Sequence, residues 1–376
     1  MENPFVYGKE VSGKNFCNRK NEIQELYRDI VNSQNVIIFS QRRFGKTSLI
    51  KKVFEKCKKD KIITIYVDLY PMLSEEDFIS IYARAITKEV VGNIKSRIKD
   101  AANLFKRIKP SFTLDSTGKV VYRFDVSPMD VVTSLEDVLE SVNRAAISKK
   151  KKIAVCFDEF QQIGVFKIDK LEKMMRSSFQ SHKNVSYIFM GSKKHLIFDI
   201  FNNPNRPFYR SAKPFPLEKM GKKELFKFIK QRFFLINKDI EDDLIDKIID
   251  MCESHPYYVQ YLCHIVWEKS VSTGNINYDI LDESMNLLLN RESSAYEATW
   301  SLLTTRQKQV LIALSKSMPD EKLFSAQFLQ KHRIGVASTV QRTLKSLVEK
   351  DIVDKEKDEY SIIDVFFKKW LAQLKN

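Results

Sequence analysis

The chain has 376 residues, with 63 Lys and Arg against 48 Asp and Glu, a formal net charge of +15. Its hydrophobic fraction of 43% and charged fraction of 30% exclude wholesale disorder and collagen-like repetition. At about 150 residues per domain the length allows two or three cores, and Gly and Pro, 10 each, are too scarce for a loop-rich all-β protein.

The first sixteen residues lack the apolar stretch of a secretory signal, and no apolar run approaches the ~20 residues of a membrane span. The five cysteines (Cys17, Cys57, Cys156, Cys252, Cys263) are odd in number and scattered, with no CxxC pair. These features predict a cytoplasmic protein with no membrane partner and no Cys/His metal framework. The basic excess suits a polyanionic partner and equally suits a Lys-rich surface.

From the N-terminus to about residue 212, apolar runs alternate with amphipathic stretches. Val36–Phe39 precedes a helical pattern carrying Leu49, Ile50, Val53 and Phe54; Ile62–Val67 precedes Asp68; Ile153–Phe157 precedes Asp158; Val185–Met190 precedes Gly191. Four such runs predict an α/β fold, a doubly wound parallel sheet covered on both faces, with ligands at the carboxyl ends of its strands. Residues 91–127 interrupt this rhythm with a basic helical stretch (Lys95, Arg97, Lys99, Lys106, Arg107, Lys109), then a period-2 pattern around Ser116-Thr-Gly118 that predicts an inserted β-hairpin. Residues 213–292 read as a helical unit (Lys222–Phe234, Asp239–Met251, Tyr257–Trp267, Tyr278–Leu289), and residues 293–376 as a third, mainly helical unit ending in a strand-like stretch at Glu359–Val365.

The strongest chemical signal is Ser40-Gln41-Arg42-Arg43-Phe44-Gly45-Lys46-Thr47-Ser48. It matches the phosphate-binding pattern GxxxxGK[ST] at every fixed place but the first, where Ser40 stands for Gly, and it lies between an apolar strand and an amphipathic helix. Backbone N–H groups of such a loop point at phosphate oxygens. Lys46 would face the β- and γ-phosphates, and the Thr47 hydroxyl would ligate Mg²⁺. About 110 residues on, an apolar strand ends in Asp158-Glu159. Neighbouring residues on an extended chain point to different sides, so Asp158 would complete the metal shell while Glu159 deprotonates the attacking water. Ser192, after the next strand, is the candidate γ-phosphate sensor. Of Arg206 and Arg210 in the following Pro-marked loop, Arg210 is the candidate for neutralising transition-state charge, in cis or from a neighbouring subunit; a structural salt bridge is the alternative.

Together these motifs resemble the prokaryotic AAA+-related, STAND-like P-loop ATPases that carry a C-terminal winged-helix domain. The resemblance spans nearly the whole chain: Asn15–Glu22, similar to the family's F-x-x-R-x-x-E segment; Ser40–Ser48; Phe157–Phe160; Met190–Ser192; Pro207–Ala212; and Ser254–Gln260, similar to its G-x-P helix start with Ser254 in the place of Gly. It implies a 1–212 core, a 213–292 helical lid and a 293–376 winged helix. It implies ATP and Mg²⁺ as cofactors, Phe16, Asn18 and Arg19 near adenine and ribose, and His255 and Pro256 bringing the lid onto the nucleotide. ATP is implied over GTP by the resemblance alone.

The last unit has three helical patterns, at Thr305–Leu314, Phe324–Gln330 and Gly335–Val348, then Ile352–Lys355 and Tyr360–Ile363 as strands of a wing. If it binds DNA, Arg342 and Lys345 on the third helix would meet the duplex. Residues 301–376 carry 14 basic and 9 acidic side chains, and the wing region Asp351–Glu359 holds five of the acids. The sequence therefore predicts an ATP-hydrolysing switch whose nucleotide state sets the lid and winged-helix positions. The alternatives are a DNA-binding regulator with structural nucleotide, or an interaction scaffold whose winged helix engages a protein partner or a second copy.

Overall fold

Continuous apolar strands are stable only when both faces are covered, and the computed structural model of the protein covers them as expected. It describes residues 2–11, 13, 16–17, 19–91, 104–108, 110–114, 120–124, 126, 128–165, 169–235, 238–273, 276–318 and 321–374. Asn18 and most of the basic stretch before Lys106 lie outside the described residues. The chain forms two compact units. One comprises Arg19–Arg42 with Lys46–Leu217, and the other Met1–Asn18, Arg43–Gly45 and Glu218–Asn376.

In the first unit, strands β1 (Val36–Phe39), β2 (Ile63–Asp68), β5 (Ile153–Asp158), β6 (Val185–Gly191) and β7 (Lys213–Pro216) form one sheet in the order β2-β5-β6-β1-β7. Every neighbouring pair is parallel, so all carboxyl ends lie along one edge. The fifth strand, β7, was not expected: only Phe215 of its four residues is buried, and two are proline. As an edge strand it needs one row of ladder bonds, which is where proline is tolerated. Helices α1 (Lys20–Val31), α2 (Lys46–Lys59), α3 (Glu75–Val90), α4 (Val131–Lys149), α5 (Gln162–Val165), α6 (Asp169–Ser181) and α7 (Lys194–Asn202) complete the unit. Phe157 centres its core, within 6.3 Å ring to ring of Phe78, Tyr82, Phe160, Phe179, Tyr187 and Phe189. Burying each such ring contributes about 1.5–3 kcal/mol. Strands β3 (Pro110–Leu114) and β4 (Val120–Phe124) pair antiparallel as anticipated, and the expected turn at Ser116–Gly118 lies outside the described residues.

The second unit contains α8 (Lys222–Phe234), α9 (Asp242–Met251), α10 (Pro256–Thr273), α11 (Tyr278–Ser301), α12 (Thr305–Ser315), α13 (Ala326–His332), α14 (Ala337–Glu349), the hairpin β8 (Val353–Glu356) and β9 (Glu359–Ile362), and α15 (Val365–Gln373). Three readings need correction. Helix α9 starts at Asp242 instead of Asp239, because the Asp239 carboxylate accepts the Ile240 N–H and competes with helix formation. Helix α11 continues past the expected Leu289 to Ser301, 24 residues in all. The terminal strand ends at Ile362, and Val365 opens α15 instead, since Asp364 accepts the Phe366 and Phe367 N–H groups as an N-cap.

Candidate nucleotide site

Three parallel strands deliver the polar residues of the first unit to one edge. Ser40 follows β1, Asp158 ends β5, and Ser192 follows β6, the strand between them. Lys46 and Thr47 open α2, whose orphan N–H groups and positive dipole end favour an anion. Gly45 turns the loop into the helix at φ +86, a left-handed conformation that suits glycine.

Lys46 is 7% exposed, and its ammonium donates to the Ser40 carbonyl (3.2 Å), the Ser40 hydroxyl (3.2 Å) and the Gln41 carbonyl (3.1 Å). The serine that replaces glycine is thus tolerated, itself 5% exposed, and supplies the lysine with an acceptor. Burial pulls the Lys46 pKa down to about 8, against the pull of Asp158 and Glu159. A triphosphate would compensate the buried cation with more negative charge than these loop oxygens carry.

The Thr47 hydroxyl donates to Asp158 Oδ2 at 3.1 Å, and the Glu159 N–H to Asp158 Oδ1 at 2.9 Å. Tyr66, on the neighbouring β2, donates its hydroxyl to the same Oδ2. Burial raises the Asp158 pKa, helped by the adjacent Glu159, and the donors from Tyr66, Glu159 and Thr47 oppose it. A divalent cation would stabilise the ionised form in the same way. Thr47 and Asp158 are converging hard oxygen donors, and among the described residues no group of three or more His, Cys, Asp or Glu is placed to hold a metal ion. That donor set fits Mg²⁺, which keeps waters and phosphate oxygens as its other ligands.

Glu159 is not extended as expected: β5 ends at Asp158, and Glu159 takes the left-handed φ of +53. Its Oε2 accepts the Ser192 hydroxyl at 2.8 Å and the Gln161 amide. The structure therefore joins Thr47, Asp158, Glu159 and Ser192 through one set of hydrogen bonds, and Lys46, next to Thr47 in the chain, bonds to the loop residues Ser40 and Gln41. Tyr66 and Gln161 also belong to this set and were missed by sequence reasoning. Tyr66 looked like one apolar residue of a strand. A buried glutamine directly after Asp-Glu-Phe was the available clue for Gln161.

The remaining candidates are placed as follows. Ser48 is buried, and Arg42 is exposed. Arg19 is 4% exposed and pairs with Glu22 at 2.9 Å; the Phe16 N–H donates to the Gly13 carbonyl at 3.4 Å. Arg206 is bonded to the buried Glu172 and lies 3.5 Å from Asp199, so the structural salt bridge falls on Arg206. Arg210 is exposed at φ +50, its guanidinium 5.1 Å from the Tyr209 ring centre.

Within the second unit, Arg43 lies 4.5 Å over the Tyr257 ring and 3.9 Å from Asp364. The His255 ring is 4.5 Å from Phe44. Pro256 is the first residue of α10, where its missing N–H costs nothing, and Ser254 takes φ +57 in the place of the expected glycine. On the winged helix, Arg342 and Lys345 are exposed on α14. With Ser338, Gln341, Val348, Lys355 and Tyr360 they line a hollow of about 410 Å³ containing no acidic residue.

Residues 16–262 match the family described as an ATPase domain predominantly from Archaea, and residues 294–373 match a probable winged helix domain. A Walker-type ATPase of Pyrococcus abyssi superposes with a TM-score of 0.65 at 17% identity, covering 98% of this chain and 99% of its own. The ORC2 protein of Aeropyrum pernix, solved in ADPNP–ADP complexes, superposes at 0.55 with 13% identity, covering 94% and 92%. No curated protein matches the sequence. At such identities the solved structures speak for the fold, and the family match speaks for ATP binding and hydrolysis as the class of chemistry. The chain belongs to the family of AAA-type ATPase domains found predominantly in Archaea, joined here to a C-terminal winged helix.

Proposed function

We propose that this protein is a Mg²⁺-dependent ATPase that works as a switch, with a core at 1–212, a helical lid at 213–292 and a winged helix at 293–376. The observation that carries the reading is the hydrogen-bonded set that runs from Thr47 through Asp158 to Glu159 and Ser192. Ser40–Ser48 cradle the triphosphate, with Lys46 compensating charge at the β- and γ-phosphates. Thr47 and Asp158 hold Mg²⁺, which when bound draws electron density from the phosphate oxygens. Glu159 takes a proton from water as its oxygen attacks the γ-phosphorus, and the bond to the β–γ bridging oxygen breaks to leave ADP. Ser192 senses the γ-phosphate, and Arg210 neutralises charge on it, in cis or from a second copy. Phe16 and Arg19 are the candidates for recognising adenine and ribose, and His255 and Pro256 are those of the lid.

The switch reading is supported by the loop tip, where Arg43 lies over the Tyr257 ring and near Asp364. A loop that changes when phosphate binds would change those contacts. The five cysteines are buried and form no disulfide with one another, which supports a cytoplasmic setting. No helix among the described residues is long and apolar enough to cross a membrane.

A DNA contact through Arg342 and Lys345 is favoured by the acid-free hollow on α14. The rival, a regulator with structural nucleotide, predicts DNA binding with negligible turnover. Phosphate release decides between them. The wild type should release phosphate in the presence of Mg²⁺, and Glu159→Gln should keep ATP affinity while turnover falls about 10²–10⁴-fold, the usual worth of a general base. Wild-type turnover in Glu159→Gln would remove the assigned base.

A further inference from the structure

Glu159 is held in place by two side chains, and one of them has no assigned task. Gln161 is 2% exposed and ends the turn that leads into α5. Its Nε2 donates to Glu159 Oε2, the same oxygen that accepts from Ser192 at 2.8 Å. The orientation of the amide follows from chemistry, since an ionised carboxylate only accepts. The Gln161 Oε1 must then point the other way, and it is a buried oxygen with no hydrogen-bond partner. A buried acceptor left unpaired weakens the fold, so an arrangement that leaves one calls for a compensating use.

The amide has room only because residue 191 is glycine. A Cβ built there would lie 2.4 Å from the Gln161 Oε1 and 2.6 Å from Ile197 Cδ1. Gly191 has no positive φ to require glycine, so space for these side chains is the reason that remains. Three features thus meet: the orphaned oxygen, the missing Cβ at the end of β6, and the amide bond to the acid.

We infer that Gln161 is a positioning residue for hydrolysis. Its amide and the Ser192 hydroxyl fix Oε2 of Glu159, leaving Oε1 as the oxygen that faces the attacking water. This rests on the reading of Glu159 as the base. A carboxylate free to rotate about its last bond would share that duty between two oxygens and lose alignment.

The test uses the full chain with Gln161→Met, which keeps length and volume and removes the donor. Steady-state and single-turnover phosphate release are measured with ATP–Mg²⁺, and ATP affinity is measured by calorimetry. The inference predicts that kcat falls about 10-fold or more while the ATP dissociation constant stays within about twofold. In a Glu159→Gln background, Gln161→Met should cause no further loss, because there is no base left to aim. A kcat within about twofold of wild type, or an undiminished loss in that background, overturns the inference. Gly191→Ala is a second route. Its methyl meets the ends of two flexible side chains, so it displaces the amide rather than the strand. It should lower kcat in the same way with ATP affinity retained, and an unchanged kcat overturns the inference even if Gln161→Met does not fold. If Glu159→Gln itself turns over like wild type, the base assignment has failed, and that result is separate from any result at Gln161.

Discussion

The loop-and-acid site of the first unit and the α14 face of the second use polar residues in opposite ways. At the first, Lys46, Asp158 and Gln161 are each under a tenth exposed, and each makes a side-chain hydrogen bond. At the second, Arg342 and Lys345 stand in water around a shallow hollow, and no carboxylate among the described residues pairs with either. Buried polar groups are costly to leave unmet, so their convergence marks a place where geometry is fixed for chemistry. Exposed cations cost little and are screened by salt, so they fit a surface that binds a polyanion without reshaping it.

Breaking one hydrogen bond at the buried site should therefore matter more than removing a whole charge at the exposed one. Tyr66→Phe removes the donor that holds Asp158 from β2. It should raise the Mg²⁺ concentration needed for half-maximal turnover about 10-fold, as loss of an outer-shell partner commonly does. ATP affinity measured in EDTA should be unchanged. An unaltered Mg²⁺ requirement would make the Tyr66–Asp158 bond merely structural. By contrast, Arg342→Ala and Lys345→Ala should each weaken binding to a duplex only a few-fold and reduce the slope of log affinity against log salt by about 1. Phosphate release should stay at the wild-type rate in both. Salt-insensitive binding, or none in the wild type, would assign the α14 face to a protein partner.

How much of this was legible in the sequence follows from where the information lies. The loop Ser40–Ser48 announces itself because its spacing, strand and helix are all local. The Asp158–Glu159 pair is legible for the same reason, as a strand tip. The role of Tyr66 depends on the register that sets Ile63 beside Ile153, and register is a property of the folded sheet. Strand β7 was hidden because an edge strand with two prolines lacks the apolar run of a central one. Val365, the first residue of α15, was read as the end of a strand because it follows the apolar Ile362-Ile363, until Asp364 is seen as a helix cap. Ser40 shows the reverse: at the one place where the loop departs from the pattern, the side chain that replaces glycine's hydrogen proves to be an acceptor for Lys46.

The central claim is that a buried lysine at the start of α2 exists to meet a triphosphate. Calorimetric titration of ATP–Mg²⁺ into the wild type and Lys46→Ala tests it most directly. The account predicts saturable binding to the wild type and none detectable to Lys46→Ala, with both proteins melting as folded chains. Equal affinity in the two would contradict it.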